Sequence, residues 1–301
     1  MQKHYLSLII ICCFLSYTYA QYTTIPDSNF EKALISLGLD SGYADGKVLT
    51  SNISGATSID IRPSNPYAKI RDLTGIEDFT NLETLICDGN ALTTIDLSNN
   101  KALKKITCSQ NQLSSLNLVG ADNLEFINCD LNQLTSLDVS QNLKLDYLKC
   151  FSNSLTSLDL SANTKLYYIR CEANPLTSLN VKNGHNSLIT NFDAAPNPTL
   201  GCIDVDNATA ATAGQAPYTN WQIDPNTIYS ENCSALSVND ETIVKSITFY
   251  PNPFTDFLSI DSKIFELNKV EMYSITGMKI KVIQSDFESI NTRNLSQGLY
   301  I

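Results

Sequence analysis

The chain has 301 residues, 43% hydrophobic and 17% charged, an ordinary folded composition over more length than one compact domain usually holds; two or three structural units are expected. A formal charge of -11 argues against a nucleic-acid surface, because phosphate binding needs a Lys/Arg stripe and none occurs.

Residues 1–20 read as a secretory signal: Lys3 and His4 precede the apolar run Leu6 to Leu15, and Tyr-Thr-Tyr-Ala puts a small residue at a cut after Ala20. That run is short for a bilayer span and nothing later approaches about 20 apolar residues, so no transmembrane anchor is expected in the mature chain. Cys12 and Cys13 lack the small residue before them that lipidation would need. Export to an oxidising compartment follows, and disulfides become permissible. Residues 21–81 read as an N-terminal cap. Within it Ser28 and Glu31 fit a capping box, Phe30, Ala33, Leu34 and Leu37 make an apolar stripe, and Gly38 suits the exit, so a short amphipathic helix is predicted. The next stretch, LDSGYADGKVL from Leu39, lacks the ligand alternation and terminal Glu of a calcium loop and reads as a turn.

From residue 82 to 200 the chain repeats. Cys87, Cys108, Cys129, Cys150 and Cys171 stand 21 residues apart, each followed three residues later by an asparagine: Asn90, Asn111, Asn132, Asn153 and Asn174. A fixed period of that length marks stacked coils that share one core. Each unit holds two nested LxxLxLxxN copies. One, with Cys at its third apolar position, starts at Leu82, Leu103, Leu124, Leu145 and Leu166; the other starts at Leu92, Leu113, Leu134, Leu155 and Leu176. A worn sixth copy follows at Ile189, Phe192, Ala194 and Asn197. This pattern resembles the leucine-rich repeats, most closely the nested 21-residue form of bacterial surface proteins. The resemblance implies a mainly β solenoid with short parallel strands on two sides. Alternation within LxLx puts one side chain inward and the next outward. The asparagines are expected to bond backbone groups of neighbouring coils, so replacing Asn132 by Leu should destabilise the coil. Equivalent cysteines about 4.8 Å apart with parallel Cβ vectors suit inward packing rather than disulfides or a metal. Cys202 sits in an outward slot and is expected to pair with Cys233, at the end of a C-terminal cap spanning 201–236.

The outward positions of the two half-repeats differ. The Leu-ending half is a monotonous ladder of Ser and Thr with Asp96, Asn117, Asp138, Asp159 and Asn180, which fits β-propensity and solubility. The Cys-containing half varies: one column holds Thr84, Lys105, Phe126, Tyr147 and Tyr168, the next Ile86, Thr107, Asn128, Lys149 and Arg170. Phe126, Tyr147, Lys149, Phe151, Tyr167, Tyr168 and Arg170 make a candidate ligand-binding patch edged by Asp146 and Glu172, although plain aromatic pairing across strands fits the same residues. On the binding alternative, changing Tyr147, Tyr168 and Arg170 to Ala together removes binding and leaves the thermal transition nearly unmoved.

After a linker at 237–242, residues 243–301 change to short alternating runs that suggest a small Ig-like β-sandwich. Tyr250-Pro-Asn-Pro253, the Val-x-Met-Tyr-Ser-Ile-Thr-Gly stretch of Val270 to Gly277 and Leu295-Ser-x-Gly-Leu-Tyr-Ile301 resemble the C-terminal sorting domain of type IX (Por) secretion substrates. That resemblance implies contact with the export machinery, passage across the outer membrane, and release or attachment at the cell surface. The family usually continues with another strand and a basic tail, so the domain reads as shortened.

His185 is the one histidine left after signal removal, and no phosphate-cradling glycine loop occurs, so no catalytic residues, metal or cofactor are assigned. Asp138 and Asp159 read as repeat elements rather than a glycosidase pair. The function expected is non-catalytic recognition of a protein or polysaccharide by a secreted or cell-surface chain. A spacer or adhesive role without a discrete ligand, and an accessory role to a secreted hydrolase, are the alternatives.

Overall fold

A computed structural model describes residues 20–235, 247–251, 253–262, 268–274 and 279–295. Residues 1–19 of the expected signal, the expected linker at 237–242 and the final motif past Leu295 lie outside them. The chain forms two units, Met1–Cys233 and Ser234–Ile301.

The first unit begins with a two-stranded antiparallel pair, Tyr22–Thr24 with Lys47–Leu49, enclosing helix α1 at Ser28–Ser36. The capping box expected of Ser28 and Glu31 does not form. Asp27 is the cap, its Oδ1 accepting from the amides of Asn29 at 2.8 Å and Phe30 at 3.1 Å. Glu31 is buried and its carboxylate accepts the amides of Asp45, Gly46 and Lys47 at 2.8 to 3.3 Å. The turn through Gly46, at φ +89°, presents three amides to one carboxylate, against the single amide a capping box would offer. Phe30 and Leu34 enter the core and Gly38, at φ +72°, ends the helix as expected.

Beyond it the coils stack in parallel. The cysteine side carries a seven-stranded sheet: Ser58–Asp60, Thr84–Ile86, Lys105–Thr107, Phe126–Asn128, Tyr147–Lys149, Tyr168–Arg170 and Asn191–Asp193. Each strand is three residues long because the chain needs one inward residue between two outward ones before it turns. The Leu side is in two pieces, Thr94–Asp96 with Ser115–Asn117, then Ser157–Asp159, Ser178–Asn180, Cys202–Asp204 and Ile228–Ser230. Parallel strand pairing therefore begins at Ser58 and continues to Ser230, inside both stretches that the repeat pattern leaves to caps. Between the two sides runs one continuous core of Leu, Ile and Cys, closed at its end by Trp221, which stacks on Phe192 at 4.1 Å.

The second unit is antiparallel. Ile247–Tyr250, Phe257–Ser262 and Ile290–Asn291 form one sheet, and Val270–Tyr273 pairs with Lys279–Ile283 in another. Leu258, Ile260, Met272, Ile283 and Ile290 make its core, the arrangement of a small sandwich. Among the described residues no helix is long and apolar enough to cross a membrane.

Candidate functional site

The cysteine-side face is built from the inside of each coil outward. Two residues after each ladder cysteine the backbone turns through a left-handed residue: Gly89 at φ 75°, Gln110 at 56°, Leu131 and Ser152 at 53° and Ala173 at 54°. Only the first is a glycine, so the sequence carried little sign of this turn. It points the next asparagine inward. Asn132 Oδ1 accepts the Leu113 amide at 2.9 Å, while its Nδ2 donates to the carbonyls of Cys108 at 3.0 Å and Cys129 at 3.1 Å. Asn90, Asn111, Asn153 and Asn174 repeat the pattern, and Asn197 extends it. Backbone groups that would otherwise be orphaned inside the solenoid are thereby satisfied across coils.

Cys87, Cys108, Cys129, Cys150 and Cys171 are all free and fully buried. The thiols of Cys87, Cys108 and Cys129 donate to carbonyls of the following coil at 3.4 to 3.6 Å, and burial pushes all five pKa values up, leaving them protonated. Cys202 is bonded to Cys233. Among the described residues no three His, Cys, Asp or Glu side chains are grouped to hold a metal ion.

On this scaffold the strands hold the outward residues in register, Phe126 beside Tyr147 and Tyr147 beside Tyr168. Their rings form a stack, both pairs of centroids 4.2 Å apart with planes 11° and 10° from parallel. Lys105 Nζ covers the outer side of Phe126 at 4.7 Å, and Tyr167 meets Tyr147 edge-on at 6.2 Å. The stack therefore uses up most of its own ring faces and presents edges outward.

In the neighbouring column Lys149 pairs with the buried Asp130 at 2.9 Å, and Arg170 pairs with Glu172 and, at 3.9 Å, with Asp193. Phe151 lies against both cations, 5.2 Å from Lys149 Nζ and 4.9 Å from Arg170 Cζ. Burial raises the Asp130 pKa to about 6 in spite of Lys149, and burial raises that of Glu172 in spite of Arg170. Each carboxylate also keeps one buried oxygen without a partner. These pairs alter the expectation for the triple alanine variant. Removing Arg170 would strand a buried Glu172, and removing two stacked rings would open the sheet face, so that variant loses stability as well as any binding.

Two carboxylates on this face have no ion-pair or hydrogen-bond partner among the described residues, Glu125 and Asp146. They stand in adjacent coils beside the stack. Partial burial and the Glu125 charge both raise the Asp146 pKa.

The Leu side does different work. Asp96, Asp138 and Asp159 each accept the amide two residues on, from Ser98, Ser140 and Ser161, at 2.9 Å, closing the turn after the strand position. The Ser98 and Ser140 amides hold Asp96 and Asp138 below the usual carboxylate range, the wrong direction for a general acid. A second interior ladder, which the repeat reading did not single out, consists of Asn100, Asn142 and Asn163, whose amides donate to carbonyls such as Ile76, Ala121 and Val139. Its signal was present as the final Asn of three Leu-ending copies.

These features define a leucine-rich repeat solenoid. Residues 248–301 match the secretion system C-terminal sorting domain, which marks the chain for export to the cell surface or medium. No curated protein matches the chain. Among solved structures, the functional domain of InlJ from Listeria monocytogenes, described as including a cysteine ladder, is 35% identical over 62% of this chain, with a TM-score of 0.47. This chain spans 38% of that one. The Listeria monocytogenes internalin inlF is 18% identical, covering 69% of this chain and 71% of its own at a TM-score of 0.44, and a leucine-rich repeat protein of Leptospira interrogans is 20% identical, covering 45% and 35% at 0.34.

Proposed function

We propose that the protein is a secreted or surface-attached, non-catalytic recognition module that binds another protein through the cysteine-side face. It would enter the export route by the signal at residues 1–20 and leave the cell by its sorting domain. The observation that carries the reading is the stack of Phe126, Tyr147 and Tyr168 with Tyr167 at its edge, flanked by two carboxylates, Glu125 and Asp146, that make no close ion pair among the described residues. Aromatic anchors ringed by charge are the composition of protein interfaces. A glycan would need open ring faces, and these are engaged by one another. Glu125 and Asp146 make a basic patch on the partner the complementary one.

The same stacking also suits a spacer, because the rings satisfy one another without any ligand. Charge reversal separates the two readings without touching the core. A protein and glycan array probed with the wild-type chain should yield protein hits that the double variant Glu125→Lys, Asp146→Lys binds at least tenfold more weakly, while Thr156→Lys, Thr177→Lys on the Leu side binds them unchanged. An array without hits, or hits indifferent to the cysteine-side reversal, contradicts the recognition reading and leaves the spacer.

A further inference from the structure

The N-terminal end of the solenoid carries a second surface feature unrelated to the aromatic stack. The segment 62–71 and α1 border an open cavity of about 450 Å³ lined by Asn29, Lys32, Asp60, Arg62, Asn65 and Tyr67 among others. A second cavity of about 640 Å³ shares Asn29 and Tyr67 and adds Lys69 and Arg71. Both volumes fall in the range of small-ligand sites.

The wall at residues 69–72 is fixed. Asn29 Nδ2 donates to the Lys69 carbonyl at 3.0 Å, and Asp27 Oδ2 accepts the amides of Arg71 at 2.7 Å and Asp72 at 3.2 Å, tying the segment to the helix start. The Ile70 amide donates to Asn90 Oδ1 at 2.9 Å, pinning the segment to the first ladder asparagine. A ligand would meet a preformed groove and spend little of its binding on ordering it.

The charge here runs against the rest of the chain. Lys32, Lys69 and Arg71 have no carboxylate partner among the described residues. Of the two acids lining the cavities, Asp60 is held bidentately by Arg62, and Asp27 is occupied by four backbone amides. In a chain of formal charge -11, three unpaired cations, Lys32 on the first groove and Lys69 and Arg71 on the second, form an anion-attracting corner where the two meet at Asn29 and Tyr67. Between them stands Tyr67, 95% exposed, with no ring or cation contact of its own among the described residues. Its faces are open where those of Tyr147 are covered.

We propose that this groove binds an anionic oligosaccharide of the uronic-acid class. One pyranose ring would lie on the face of Tyr67, with the carboxylates of successive residues of the oligosaccharide against Lys32, Lys69 and Arg71 and hydroxyls against the Asn29 and Asn65 amides. An open aromatic platform beside cations distinguishes this ligand from a plain polyanion, which needs no ring to lie on. The inference stands apart from the protein-binding reading of the cysteine side.

The test is calorimetric titration of the full chain with tetragalacturonate, cellotetraose and tetraglutamate. Tetragalacturonate should bind saturably and at least tenfold tighter than the other two, with affinity falling as sodium chloride rises from about 50 to 500 mM, as screening of surface charge requires. Tyr67→Ala and the pair Lys69→Ala, Arg71→Ala should each weaken it at least tenfold. Because these side chains are exposed, their thermal transitions should match wild type, so a loss of binding is not a loss of fold. The cysteine-side reversal Glu125→Lys, Asp146→Lys should leave this binding intact. Absence of saturable binding, equal affinity for tetraglutamate, or indifference to Tyr67→Ala would each overturn the assignment.

Discussion

The two sides of one coil are built from nearly the same nine-residue phrase and behave differently. On the cysteine side seven strands pair without interruption; on the Leu side the pairing breaks between Ser115–Asn117 and Ser157–Asp159. The interior polar groups differ as well. A cysteine-side asparagine both accepts and donates across coils, as Asn132 does, whereas Asn100 and Asn163 only donate and keep an unpartnered oxygen. Two of the five Leu-ending copies have another residue where the asparagine belongs, Ala121 and Gly184. Uninterrupted pairing on the cysteine side is what lets side chains in successive coils line up into a stack.

That comparison can be broken at several points, with effects of decreasing size. Asn132→Leu leaves the Leu113 amide without a partner and takes one of two donors from each of the Cys108 and Cys129 carbonyls, and should cost about 3 kcal/mol in denaturant unfolding, while Asn163→Leu, which only takes a second donor from the Val139 and Asn142 carbonyls, should cost about half as much. Equal costs would mean the two ladders are equivalent. Replacing Cys202 and Cys233 by Ala releases a closure spanning 31 residues at the end of the Leu-side sheet and should cost about 3 kcal/mol, read from the same curves.

The buried pairs on the cysteine side give a pH signature. The Asp130 pKa, at about 6, lies above its ordinary value, so the folded state holds this proton more tightly than the unfolded chain. The resulting stability is fully present below about pH 4, is lost as pH rises through about 6, and Glu172 acts in the same direction. Unfolding at pH 5 should therefore require more denaturant than at pH 7.5, by on the order of 2 kcal/mol, and Asp130→Asn should shrink the difference. Asp96 and Asp138, held low, act oppositely as pH falls toward their own pKa values, so stability should decline again in stronger acid. Smallest of all, Tyr167→Ala on the exposed edge of the stack should change stability by less than about 0.5 kcal/mol.

Much of this was legible in the sequence because a period of 21 fixes register, and register fixes which side chains face inward. The cysteine column, the first asparagine column and the outward aromatics follow from it, as does Cys202 lying off the ladder. What periodicity could not show is contact between residues outside the repeat. Glu31 reads locally as half of a capping box, yet its carboxylate is claimed by amides fourteen to sixteen residues away. The aspartates of the Leu side look like a solvated row until their bonds to the following turns are seen. Strand pairing at Ser58–Asp60 and Ile228–Ser230 was hidden because those coils keep the shape of the repeat after losing its letters. The charge pairing of Lys149 and Arg170 was also out of reach, since it depends on which carboxylate in the next column is buried.

The claim that one side of the coil is the working surface is most directly tested by photo-crosslinking. A benzophenone side chain placed at Tyr167 on the cysteine side, or at Thr156 on the Leu side, would be irradiated with the protein partner found on the array. The account predicts a crosslinked product from position 167 and none from position 156. Equal crosslinking from both positions, or crosslinking from 156 alone, would contradict it.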